Sequence, residues 1–213
     1  MILTNNFKRL ISSLILLPIS IFIILNGGII FLLGILFCLI VSIFEWSKLT
    51  INYFHKIIGY FFILFSFYTF FHMRNNTEYG NLYDFLVIFL ICVSSDLGGY
   101  IFGNLFKGPK LTRISPNKTY SGAIGSFIFS LIVALLFLKN IPNSHLTFNL
   151  NFLTYVLFIS FICQIGDLTI SYYKRKSKVK DTGNLIPGHG GILDRIDGMI
   201  FVFPVIFLLN NIF

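Results

Sequence analysis

The 213-residue chain is 56% hydrophobic, 18% aromatic and only 11% charged, and its mean hydropathy is +0.85. Soluble domains carry about 25% charged residues, so this composition excludes an ordinary cytosolic enzyme, a disordered protein and a secreted disulfide scaffold, and leaves a polytopic helical membrane protein. The net charge of +8, from 16 Lys and Arg against 8 Asp and Glu, then belongs at the membrane edges, facing anionic headgroups or a polyanionic substrate.

In chain order, apolar runs predict helical spans over Leu10–Leu25, Gly28–Phe44, Ile57–Phe71, Leu82–Gly103, Gly122–Leu138, Phe152–Tyr173 and Ile196–Phe213. Lys8 and Arg9 before the first run would suit a signal peptide, but Asn26-Gly27-Gly28 is a poor cleavage site and another apolar run follows at once, so the first span is read as retained. Seven spans of about 20 residues use about 140 positions, and the remaining third is too little for a separate soluble domain. With the N-terminus in the cytoplasm, all but Arg74 and Lys139 of the 16 basic residues fall on the cytoplasmic side, so span count and orientation support each other. Two long, basic, Gly- and Pro-bearing loops stand out on that side, Asn104–Ser121 and Lys174–Arg195. Cys38, Cys92 and Cys163 lie in apolar runs and read as small buried hydrophobes, and the four histidines show no zinc spacing.

The acids are unevenly placed. Asp96, Asp167, Asp181, Asp194 and Asp197 lie in or beside the last four spans, near the two basic loops. An ionised side chain at the centre of a span costs about 2.5–3.5 kcal/mol on insertion scales, so each should face the protein interior or a watery cavity. Gln164, Asp167, Ser171 and Lys174 recur at helical spacing and form one polar stripe; Asp96, Tyr100 and Gly103 form another; Asp194 and Asp197 are one turn apart at the start of the last span. Three helices thereby bring carboxylates to one membrane depth.

Hard divalent cations such as Mg²⁺ use carboxylate oxygen and bind phosphates at the same time. Basic loops would hold those phosphates, and Gly188-His189-Gly190-Gly191 would let backbone approach a ligand. These parts point to metal-assisted phosphoryl or nucleotidyl transfer at the membrane edge. Lys107, Lys110, Lys176 and Lys178 are read as topology and headgroup charge, which the basic loops require in any case. Glu45, Glu78 and Asp84 are read as interfacial or loop residues without a role.

The residues then match a known pattern. Ser171-Tyr172-Tyr173-Lys174-Arg175, Lys180-Asp181, Pro187-Gly188-His189-Gly190-Gly191 and Asp194-Arg195-Ile196-Asp197 resemble the signature of CDP-diacylglycerol synthases (phosphatidate cytidylyltransferases). Ser115-Pro116, Lys118-Thr119 and Gly122, preceded by Asp96, Tyr100 and Gly103, resemble a second stretch of that family, and Gly166-Asp167-Leu168 fits the lead-in to the signature. The resemblance runs from about Ser94 to Gly198; the first 90 residues match by hydropathy only.

This resemblance implies an all-α integral membrane domain over 1–213, with N-terminal spans in 1–90 and catalytic helices and two cytoplasmic basic loops in 91–213. It implies transfer of CMP from CTP to phosphatidate, with Mg²⁺ and the question of a second cation left open, in phospholipid biosynthesis at a bacterial inner membrane. CTP, phosphatidate and membrane lipid are the expected partners, with a homodimer as the implied assembly and no nucleic acid. Carried onto this sequence, Asp167 and Asp194, then Asp197 and Asp96, would ligate metal. Lys174, Arg175 and Arg195 would bind phosphates. Ser115, Lys118, Thr119 and Ser171 would contact substrate, and Lys180, Asp181, His189, Gly190 and Gly191 would organise a loop over the nucleotide. A CTP-dependent lipid kinase or a cytidylyltransferase for another lipid phosphate would use similar residues. An ion or phosphate transporter is the non-enzyme alternative, disfavoured because the acids crowd one face and no inverted repeat is visible.

Overall fold

A computed structural model of the chain describes residues 2–75, 82–112, 115, 118–140, 149–186 and 190–212. They form eight helices: α1 (Ile2–Asn26), α2 (Gly28–Ser47), α3 (Tyr53–Asn75), α4 (Leu82–Phe106), α5 (Tyr120–Asn140), α6 (Leu150–Lys176), α7 (Leu193–Ile196) and α8 (Met199–Ile212). Among the described residues there is no strand, only the isolated bridge pairs Lys110–Thr119 and Ile186–Gly190. Five helices, α2 to α6, are long and apolar enough to cross a membrane, and α1 and α8 contribute the shorter apolar stretches Ile15–Asn26 and Met199–Asn210.

The helices extend beyond their apolar runs. α6 continues through Lys174, Arg175 and Lys176, so the second basic loop begins only at Ser177. The last span starts at Met199 rather than Ile196, because Asp194 belongs to the short α7 and Gly198 separates the two helices. Polar residues at the ends of a span keep the backbone satisfied at no cost once they reach the interface, so hydropathy marks the apolar centre and not the helix end.

α4 lies at the centre. Phe85, Leu86, Val87, Ile88, Ile91 and Cys92 are buried on it, and it packs against α5, α6, α3 and α8. Its closest partner is α5, where Gly98 faces the backbone of Gly125 and a Cβ on either would overlap the other helix. Small residues let two helices approach backbone to backbone, which is how membrane helices associate when lipid offers no hydrophobic drive. Hydroxyls add links across the bundle: Ser126 donates to the Ser95 carbonyl at 2.7 Å, Ser95 and Ser160 hydroxyls lie 2.9 Å apart, and Ser66 donates to the Ile200 carbonyl at 2.7 Å. Cys92 and Cys163 are buried free thiols and Cys38 is half-buried. At the opposite end of α3, Arg74 donates to the Ile24 carbonyl at 2.8 Å and so closes the C-terminus of α1.

Candidate active site

α4, α5, α6 and the two segments that precede α5 and α8 wall one cavity of about 400 Å³. α4 contributes Asp96, Gly99 and Tyr100. The connection to α5 contributes Leu111, Ser115, Lys118 and Thr119, α6 contributes Gln164, Asp167 and Lys174, and the C-terminal segment contributes Asp181, Asp194, Arg195 and Asp197.

The α4–α5 connection folds back on itself. Leu111 N–H donates to the Lys118 carbonyl at 2.8 Å and Tyr120 N–H to the Pro109 carbonyl at 3.0 Å. Thr119 then starts α5: its hydroxyl accepts from Gly122 N–H at 3.1 Å, an N-cap bond. This doubling-back carries Lys118 over α6, where its ammonium pairs with Asp167, both side chains about a quarter exposed at 24% and 28%. Ser171, one turn along α6, donates to the same carboxylate at 3.3 Å.

Asp194 sits in a tighter net. Lys174 Nζ lies 2.8 Å from its Oδ1, while Oδ2 accepts from Thr182 N–H at 2.8 Å and Gly191 N–H at 3.0 Å. Asp194, which the resemblance makes a metal ligand, lines the cavity and through these three contacts also ties the segment after α6 back to Lys174. Gly190, with φ of 84°, is shaped to the same net, since a Cβ there would lie 2.7 Å from Asp194 Oδ2. Asp197 is buried and accepts from Gly198 N–H at 2.9 Å. Asp96 opens onto the cavity, with the Cys163 thiol 3.9 Å away.

The expected site residues divide. Asp96, Asp167, Asp181, Asp194, Asp197, Lys118, Lys174, Arg195, Ser115 and Thr119 reach the cavity wall. Ser171 is buried off the wall; Gly191 N–H donates to Asp194 and the Gly190 carbonyl accepts from Ile186 N–H. Arg175 and Lys180 are exposed and lie off the wall. His189 lies outside the described residues.

One residue was missed outright. Glu45, read as interfacial, is 2% exposed at the end of α2. Its carboxylate accepts from Ile192 N–H at 3.0 Å, Leu193 N–H at 2.8 Å and the Thr182 hydroxyl at 3.0 Å. Gly191 also has a packing reason to be glycine: a Cβ would run into Glu45, as it would at Gly183. The available signal was Glu45 closing a run from Gly28 that only Ser42 interrupts, with two residues between it and the next basic one, Lys48.

The donor set can be tested against a magnesium ion. Among the described residues no three or more His, Cys, Asp or Glu side chains are grouped closely enough to hold a metal by themselves. Magnesium needs no such cage; it takes one or two carboxylates and fills its shell with phosphate oxygen and water. Asp96, Asp167 and Asp197 line one cavity. On the same wall Gln164 Nε2 is buried with no hydrogen-bond partner among the described residues, a donor that a phosphate oxygen would satisfy. The residues fit a magnesium–phosphate pair.

Comparison with known proteins gives an independent measure. The model of the cytidylyltransferase family matches residues 50–213. The phosphatidate cytidylyltransferase of Staphylococcus haemolyticus (strain JCSC1435) is 43% identical over 148 residues, 68% of this chain and 54% of the relative. That of Bacillus subtilis (strain 168) is 40% identical over 153 residues, 69% of this chain and again 54% of the relative. The chain thus spans about half the length of these two. The phosphatidate cytidylyltransferase of Rickettsia typhi (strain ATCC VR-144 / Wilmington) is 32% identical over 212 residues, 97% of this chain and 92% of the relative.

Proposed function

The chain belongs to the cytidylyltransferase family, and we propose that it transfers CMP from CTP to phosphatidate, forming CDP-diacylglycerol and releasing pyrophosphate. The observation that supports this most is the mixed charge of one cavity at the end of long apolar helices: Lys118, Lys174 and Arg195 share its wall with Asp96, Asp167 and Asp197. A lipid phosphate and a nucleotide triphosphate are both polyanions, and a site for their union needs cations to hold them and carboxylates to hold a metal.

A phosphatidate oxygen attacks the α-phosphorus of CTP, the bond from that phosphorus to the oxygen bridging to the β-phosphate breaks, and pyrophosphate departs with the electron pair. The nucleophile is already anionic, so the chief barrier is bringing one anion onto another. Asp167, with Asp96 or Asp197, would hold magnesium, which would supply charge neutralisation on the phosphates. Lys118 and Arg195 screen the same charge and orient the triphosphate, Arg195 with its planar fork. Lys174, paired with Asp194, fixes α7, which carries Arg195. Gln164 donates to a phosphate oxygen from the α6 wall.

The topology that suits this chemistry has seven spans, counting α1 and α8, with the N-terminus in the cytoplasm of a bacterial cell and the cavity facing that side of its inner membrane. That orientation puts the positive charge inside and gives CTP access while the lipid enters laterally.

The test is incubation of detergent-purified protein with α-labelled CTP, phosphatidate and Mg²⁺. A CDP-linked lipid with stoichiometric pyrophosphate, lost with EDTA, is the expected result. Label reaching lipid only from γ-labelled CTP would replace this reading with a lipid kinase, and no turnover by folded protein would overturn it.

A further inference from the structure

We propose that Glu45 is the positioning residue of the 177–192 loop, and that α2, which lies outside the segment matched by the family model, is through Glu45 part of the catalytic apparatus. The geometry carries this: a buried carboxylate on one helix accepts from three donors of a loop that lies far along the chain.

α7 cannot start itself. Its N-cap position is Ile192, whose side chain makes no capping bond. The first amide groups of a helix have no partners within it and need an acceptor. Here the acceptor comes from 147 residues away, as Glu45 takes Ile192 N–H at 3.0 Å and Leu193 N–H at 2.8 Å. The next residues of α7 are Asp194 and Arg195, both on the cavity wall.

Thr182 links this contact to the cavity's own network. Its hydroxyl donates to Glu45 Oε2 at 3.0 Å while its N–H donates to Asp194 Oδ2 at 2.8 Å. The line Glu45–Thr182–Asp194–Lys174 therefore runs from α2 to the wall without a break. Two glycines of the loop, Gly183 and Gly191, leave the space that the Glu45 carboxylate fills. Glu45 is itself held in place by its neighbour: Trp46 is 3% exposed, donates to the Lys56 carbonyl at 3.1 Å and meets the Tyr173 ring edge-on at 5.1 Å between centroids, tying α2 to α6. A fixed carboxylate at the end of a packed helix is a rigid post to which the loop is tied.

The catalytic consequence rests on the function proposed above, whereas the loop-holding role does not, and the experiment separates them. Glu45→Gln, Glu45→Ala and Thr182→Val are purified in detergent and probed with trypsin under native conditions, the loop's exposed Lys178 and Lys180 serving as cut sites. Cleavage in the loop is expected to rise about tenfold for Glu45→Gln, the change in open population that loss of one cap produces, and further for Glu45→Ala. Cleavage at Lys48, Lys56, Lys107 and Lys110 should stay at the wild-type rate, which a general loss of fold would not allow. The turnover assay should show kcat falling more than the KM for CTP rises, with Glu45→Gln retaining more activity than Glu45→Ala. If Glu45→Ala does not fold, Glu45→Gln and Thr182→Val read the same two quantities. Wild-type rates of loop cleavage in these folded variants would overturn the proposal, as would cleavage rising equally at all sites. Should the wild-type chain make no CDP-linked lipid, the proposed reaction fails while the proteolysis still decides the role of Glu45.

Discussion

Lys174 Nζ stands 2.8 Å from Asp194 Oδ1, with the two side chains only 11% and 3% exposed. A lysine at the end of a membrane-length helix and an aspartate beyond the following loop thus form a buried ion pair, and the loop between them is closed by it. Removing one partner of such a pair leaves a stranded charge, which costs about 3–5 kcal/mol, whereas removing both costs far less. Asp194→Asn should therefore lower thermal stability sharply, because its amide would face the Lys174 ammonium. Adding Lys174→Met should recover most of the loss, since the asparagine carbonyl can still accept from Thr182 and Gly191. Unfolding midpoints of the two single variants and the double variant in one detergent check this, and neither single nor double variant should regain turnover.

Lys118 and Asp167 make the contrasting pair. Both are partly exposed, and ion pairs of that kind contribute about 0–1 kcal/mol. Asp167→Asn should leave the unfolding midpoint nearly unchanged and lower kcat by about 10²-fold or more, the size seen when one charge-stabilising group is lost from an active site. Near-full activity in folded Asp167→Asn would show that this carboxylate holds no metal.

Metal dependence should separate the carboxylates further. EDTA should abolish turnover and added Mg²⁺ restore it. Asp96→Asn should raise the Mg²⁺ concentration needed for half-maximal rate while its rate at saturating Mg²⁺ falls less than that of Asp167→Asn. A titration of initial rate against free Mg²⁺ measures both quantities, and an unchanged midpoint in Asp96→Asn would remove that residue from the metal's surroundings.

The α4–α5 crossing predicts a packing effect felt in the site. Gly98→Val would drive a branched side chain into the Gly125 backbone, and overpacking of this kind costs about 1–3 kcal/mol. Because Gly99 of α4 packs directly on Gly122 and Ser126 of α5, and all three line the cavity with Asp96, separating the helices should also raise the KM for CTP. Thermal midpoint and KM measured on the same preparation test the two effects together.

Much of this molecule is legible before any coordinates. Apolar runs placed every long helix, because membrane insertion is decided by local composition. Helical spacing placed Gln164, Asp167 and Lys174 on one face, and they do share one wall. Arg175 and Lys180, which the resemblance groups with the site, stand exposed off the wall. The space that Gly191 leaves for Glu45 could not be read from the sequence, because Glu45 lies on another helix.

What composition and periodicity determined here is a bundle of apolar helices with its acids gathered near two basic segments, since burial of apolar surface and the cost of stranded charge act through each residue and its neighbours along the chain. What tertiary structure alone decided is which donors reach which carboxylate. Glu45 and one oxygen of Asp194 accept from amides of one segment, the other oxygen of Asp194 meets Lys174, Asp167 turns to Lys118, and Asp96 opens onto the cavity. A carboxylate's role depends on which donors reach it, and the donors that reach Glu45 lie more than 130 residues away in sequence, where no local pattern can announce them.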